Sequence, residues 1–115
     1  MPVQSRYLFI AAMDVDADKE ALFNEVYDRE HIPELQKVPG VGAITRCKGQ
    51  PFALSIGGET LPMAHQGPSY FAIYEIDSPE VVASAAWAKA VEKGRWAAEV
   101  RPFTRNRRHV VMKVA

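Results

Sequence analysis

Tyr70-Phe71-Ala72-Ile73-Tyr74-Glu75-Ile76 is the clearest strand in the chain. With a side-chain period of two, Tyr70, Ala72, Tyr74 and Ile76 share one face and Phe71 and Ile73 the other, so the strand is apolar on both sides. The run Tyr7-Leu8-Phe9-Ile10-Ala11-Ala12-Met13, following Arg6, has the same two-faced character. Strands of this kind lie inside a sheet covered on both faces.

Working outward, Val41 to Lys48 reads as a further strand, with Ala43, Thr45 and Cys47 on one face and Ile44, Arg46 and Lys48 on the other. Residues 49–69 carry repeated glycine and proline and read as a long central loop, with a strand-like piece Phe52-Ala53-Leu54-Ser55-Ile56 inside it. After Ile76, Ser78 reads as a helix cap with Pro79 at the first helical position. Val81, Val82, Ala85, Ala86, Trp87 and Val91 continue that helix, Gly94 ends or interrupts it, and Trp96 and Val100 predict one more turn. The last strand runs from Phe103 to Val114. Ahead of Val41, Asp14, Asp16 and Asp18 supply caps for a helix from about Ala17 to His31.

The order is β-α-β-β-α-β, the split βαβ arrangement of a ferredoxin-like α+β fold: a four-stranded antiparallel sheet with both helices on one face. The other sheet face is also apolar, which predicts a homodimer joined sheet to sheet. The 115 residues, 48% hydrophobic, suit a single domain spanning 1–115. Fourteen basic and fourteen acidic residues cancel, which argues against nucleic acid as a partner. No apolar run approaches the ~20 residues of a membrane span. Cys47 is the single cysteine, so no intramolecular disulfide forms; with no export signal read at the N-terminus, the expected location is the cytoplasm.

Chemistry concentrates in Tyr27-Asp28-Arg29-Glu30-His31-Ile32-Pro33-Glu34-Leu35. Pro33 has no N–H for the carbonyl of Arg29, so the helix is expected to kink or restart after His31, leaving that imidazole at a helix terminus. There His31 suits general acid–base chemistry, with an ordinary pKa of ~6.5, and Tyr27 one turn earlier orients it or donates to a substrate oxygen. The bland reading is a ring that caps free carbonyls. Phe23 shares the face of Tyr27 and His31. Asp28, Glu30 and Glu34 are read as solvated, Arg29 as burying its stem beside Leu22 and Val26, and Cys47 as an inert core residue. His31, His65 and His109 have no paired spacing, so no metal site is expected. Among Arg101, Arg105, Arg107 and Arg108, one arginine suits a carboxylate-bearing substrate, and Arg107 is the candidate, with ion pairs to a dimer mate as the alternative. Phe9, Tyr7, Phe71, Tyr74 and Trp87 suit either a pocket for a flat ligand or plain core.

Tyr27-Asp28-Arg29-Glu30-His31-Ile32-Pro33, Val38-Pro39-Gly40-Val41, Tyr70-Phe71-Ala72-Ile73-Tyr74-Glu75, Trp87 and Arg101-Pro102 together resemble the EthD-like branch of the dimeric α+β barrel superfamily. The resemblance covers most of the chain apart from 49–69, where this sequence departs from the compact hairpin usual in the family. It implies a ferredoxin-like protomer that encloses a barrel with its mate. Relatives include cofactor-free monooxygenases, muconolactone-type isomerases, polyketide cyclases and haem enzymes. The functional expectation is a cofactor-independent isomerase, lyase or monooxygenase acting on an aromatic, phenolic or lactone-like compound, with His31 and Tyr27 catalytic and Phe9, Phe23, Tyr74, Trp87 and Arg107 binding substrate. The alternatives are a non-catalytic ligand-binding or accessory protein of a catabolic pathway, and a haem-binding barrel.

Overall fold

A computed structural model describes residues 3–115. The two-faced strands sit where their composition requires. β1 (Tyr7–Val15) lies between β5 (Tyr70–Ile76) and β6 (Thr104–Lys113), all antiparallel, and β2 (Val41–Lys48) pairs with the far side of β5, giving the sheet order β2-β5-β1-β6. Phe9 stands opposite Tyr74, and Ala11 lies between Ala72 and His109. This is the predicted ferredoxin-like α+β arrangement.

Both helical segments cover one sheet face. Phe23, Val26, Tyr27 and Leu35 from the first, and Ala90, Trp96 and Val100 from the second, close a core over Ala11, Met13, Ala72, Tyr74 and Ile76. Burying side chains of this size contributes about 1.5–3 kcal/mol each, more than any surface pair in the molecule supplies. The opposite face carries Leu8, Ile10, Phe71 and Ile73, which are half-buried, with Val110 and Met112 exposed on β6. Cys47 belongs to that side of β2 and is exposed, so it is not the core residue expected. Among the described residues no helix is long and apolar enough to cross a membrane.

The first helical segment departs from expectation. A 3₁₀ turn at Ala17–Lys19 leads into α1 (Glu20–Val26), a π-helical turn at Tyr27–His31 and then α2 (Ile32–Leu35). The chain restarts after His31 as predicted, but it does not stop there: the Ile32 N–H bonds to the Tyr27 carbonyl, and Pro33 sits in the first turn of α2. A widened turn ahead of the proline absorbs the missing donor, so His31 ends up buried inside a continuous helical segment rather than at a terminus.

The second segment is more broken than its periodicity suggests. A 3₁₀ stretch, Pro79–Ala83, ends at extended Ser84, and α3 (Ala85–Ala90) starts there. Ser78 is the N-cap of the 3₁₀ stretch, with Pro79 at its start as predicted, while α3 has its own side-chain cap in Ser84: its Oγ accepts from the Trp87 N–H at 3.1 Å and donates to the Val81 carbonyl at 2.7 Å. Beyond Gly94, the predicted extra turn is a π-helical one, Trp96–Val100, followed by a 3₁₀ turn at Arg101–Phe103.

Residues 49–69 are not a structureless loop. β3 (Phe52–Ile56) pairs with β4 (Glu59–Met63) across a two-residue Gly57-Gly58 turn, both glycines at positive φ. That dipeptide between apolar runs is a hairpin signal; Pro62 disguised it, since proline is tolerated only in an edge strand such as β4.

Glu30 also corrects the sequence reading. It is half-buried rather than solvated, accepting from the Arg95 N–H at 2.8 Å and from Arg95 Nε at 2.7 Å, which ties the first helical segment to the turn after Gly94. Gly94 has φ +68°, and a methyl carbon placed on it would lie 2.6 Å from Glu30 Oε1. Gly94→Ala is therefore expected to lose about 1–3 kcal/mol of unfolding free energy, measured by urea denaturation.

Candidate functional site

The four-residue spacing of Phe23, Tyr27 and His31 does carry all three side chains inward. Tyr27 Oη meets Tyr74 Oη at 2.6 Å in the layer between helix and sheet. Burial pushes the Tyr27 phenol up to about 12, and burial and its partner raise Tyr74 well above the ordinary phenol value, so both remain protonated at any physiological pH. One hydroxyl donates within the pair, which leaves the other free to donate outward.

His31 lies flat on Trp96, ring centroids 4.2 Å apart and planes 19° from parallel, and edge-on to Tyr27 at 4.9 Å. Its Nδ1 is fully buried with no hydrogen-bond partner among the described residues. Burial is the main force lowering its pKa to about 3, aided by the positive charges of Arg101 and Arg46. The ordinary value near 6.5 expected from the sequence therefore does not hold, and the ring is neutral.

A cavity of about 240 Å³ opens beside this ring. Phe9, Tyr74 and Trp87 form one wall, with centroids 5.4 to 5.6 Å apart. Tyr27, His31 and Trp96 form another, and Arg101, Arg107 and His109 also line it. His109 stacks on Phe9 at 5.8 Å with planes 8° apart. Behind Tyr27, outside the cavity lining, the Arg46 guanidinium lies 4.5 Å from its ring centre, held by Asp28 at 2.9 Å and by Asn24 at 2.8 Å.

Of the candidate residues, Phe9, Tyr27, His31, Tyr74, Trp87 and Arg107 line one cavity. Phe23 does not: it is wholly buried beneath Tyr27, against Tyr70 and Trp96. Phe71 belongs to the opposite sheet face, near His65. Arg29 is exposed rather than packed beside Val26, and Asp28 holds Arg46. Trp96, Arg101 and His109 were not singled out as lining this site by the sequence. His109 had a legible signal, because it follows Arg107 by two on one strand face. Trp96 had none, since only the fold brings it onto His31. Among the described residues no three His, Cys, Asp or Glu side chains converge to hold a metal ion.

No family model and no curated protein matches the chain in sequence. Solved structures do. An EthD (ethyl tert-butyl ether D) family protein from Bacillus halodurans C-125 superposes with a TM-score of 0.57 at 12% identity, covering 95% of this chain and 99% of that one. The chain shares with these structures the ferredoxin-like α+β fold, a four-stranded antiparallel sheet with its helices on one face. The haem-degrader MhuD of Mycobacterium tuberculosis, with two haems bound in its active site, matches at TM-score 0.56 and 17% identity over 95% of each chain. A substituted MhuD with two manganese protoporphyrin IX molecules per active site gives 0.59 and 16%, over 95% of this chain and 94% of that one.

The neutral His31 has a consequence for stability. Its pKa is lower in the folded chain, about 3, than the ~6.5 of an unfolded one, so between these values the unfolded state binds more protons and stability falls as pH falls. Between pH ~6.5 and ~5 carboxylates remain ionised, and the loss in that window belongs to histidines, including His109, which burial and Arg107 also lower. The slope for one such group is at most ~1.4 kcal/mol per pH unit. His31→Phe is expected to keep the stacking on Trp96 and flatten the slope by up to that amount, read from urea midpoints across the window.

Proposed function

We propose that this protein is a cofactor-independent enzyme that binds a small aromatic, phenolic or lactone-like molecule in the aromatic-walled cavity and moves a proton through His31. The observation that carries this reading is a neutral imidazole, with one nitrogen buried and unpartnered among the described residues, set in the wall of a partly open cavity with aromatic walls. With Nδ1 sealed off, Nε2 is the nitrogen left to meet a ligand.

The chemistry follows from the two kinds of group present. Neutral His31 accepts a proton from an acidic C–H or phenolic O–H, and the electron pair left behind delocalises onto the substrate's oxygen. The Tyr27–Tyr74 pair donates a hydrogen bond to that oxygen, a donor prepared before reaction because neither phenol ionises. Returning the proton to a different carbon is an isomerisation, and expelling a leaving group is a lyase reaction; addition of dioxygen to the carbanion gives a hydroperoxide that loses water to leave a carbonyl, a monooxygenation in which the substrate supplies the electrons. His31→Ala is expected to lower kcat on a turned-over substrate by about 10²–10⁴-fold with the fold intact by circular dichroism. Full turnover in that variant overturns the assignment. Ligand affinity that survives it, with no turnover in the wild type, makes the protein a binding module instead.

The haem of the MhuD structures is a poor fit here. The cavity is smaller than the ~300–1,000 Å³ typical of drug-sized ligands, and a porphyrin exceeds it. No step is assigned to haem.

The working unit we infer is a homodimer through the open sheet face. Leu8, Ile10, Phe71, Ile73, Val110 and Met112 form there an apolar surface that a monomer rarely leaves uncovered. Light scattering at micromolar concentration is expected to give twice the chain mass of 12.8 kDa, and Val110→Lys with Met112→Lys to give the monomer.

A further inference from the structure

The cavity has a charge imbalance that its own residues leave open. Two arginines and two histidines line it, and no aspartate or glutamate does. Arg101 is already satisfied: its guanidinium grips Glu92 at 2.8 and 3.2 Å and donates to the Val91 carbonyl at 2.7 Å. Arg107 has no ion pair among the described residues, whereas Arg105 on the same strand pairs with Asp16. Arg107 and His109, two apart on β6, face the cavity together, and the His109 ring continues the aromatic wall of Phe9.

We propose that the cavity takes a planar ring acid, with its carboxylate received by Arg107 beside His109 and its ring held against Phe9 and Trp87. The planar guanidinium matches a carboxylate with two parallel N–H···O bonds. His109 then gains an anionic neighbour, and its imidazole, now held down by burial and by Arg107, can take a proton and donate. The same negative charge strengthens His31 as a base, since the charges of Arg101 and Arg46 that help depress it are partly offset. Substrate charge is thus what makes the neutral imidazole useful. The proposal deepens the ligand-site reading of the previous section but does not require His31 to be catalytic.

The test is calorimetric titration with a matched pair of probes, 2-naphthoate and 2-naphthamide, which differ in charge and hardly in shape. Naphthoate is expected to bind at least about tenfold more tightly. Arg107→Gln removes the preference, Arg107→Lys restores part of it, and Arg105→Gln, an equal change of charge on the same strand, leaves it intact. His31→Ala keeps the preference, so a failure of the proton-transfer reading is separable from a failure of this one. Equal affinity for the two probes, a preference that survives Arg107→Gln, or no binding of naphthoate at millimolar concentration overturns the proposal. His31-dependent turnover of an uncharged substrate alongside any of these leaves the function standing and this substrate class refuted.

Discussion

The hydroxyls of Tyr27 and Tyr74 meet in the buried layer between helix and sheet. Each buried phenol costs about 1–3 kcal/mol if left unpaired, so the two hold one another in place. That bond joins the first helical segment to β5, one of the two central strands, and so sets where the segment lies along the sheet. His31 follows Tyr27 by four residues, and its position against Trp96 is inherited from the same contact. The π-helical turn at Tyr27–His31 belongs to this constraint. It lets the chain pass Pro33 without ending, while both rings stay directed inward.

Around this buried centre the charges are held at the edges. Arg46 lies over Tyr27 from the β2 side, anchored by Asp28 and Asn24, and Arg101 closes the far end through Glu92. Neither cation is itself buried, yet both act on groups that are. Their fields reach His31 with little solvent screening and add to the effect of desolvation, so a histidine ordinary in sequence is neutral in the fold. A cavity whose polar groups are uncharged phenols and imidazoles, with cations at its rim and no anion of its own, is arranged to receive one.

The fold was legible because its signals are local. The two-faced apolar runs Tyr70–Ile76 and Tyr7–Met13, together with the order of the elements, sufficed for the four-stranded sheet with its helices on one face. Misreadings came where a local signal had a competitor. Pro33 pointed to a helix end, but the energy of burying Tyr27, His31 and Leu35 outweighs it and selects a π turn. Ser78-Pro79 looked like the start of one helix, but Ser84 starts a second by bonding backward and forward at once. Pro62 hid the hairpin that Gly57-Gly58 announced.

For the site, the sequence by itself determined that Tyr27 and His31 share a helical face and that Arg107 and His109 share a strand face. Those relations depend only on residue spacing and backbone period. Tertiary structure alone decided which residues meet: Trp96 on His31, Tyr74 on Tyr27, Phe9 on His109, and Phe23 beneath the cavity rather than in it. It also decided the protonation state of His31. Desolvation and electrostatic potential are sums over every neighbour in space, and the neighbours that matter here, Arg46, Trp96 and Arg101, lie far from residue 31 along the chain.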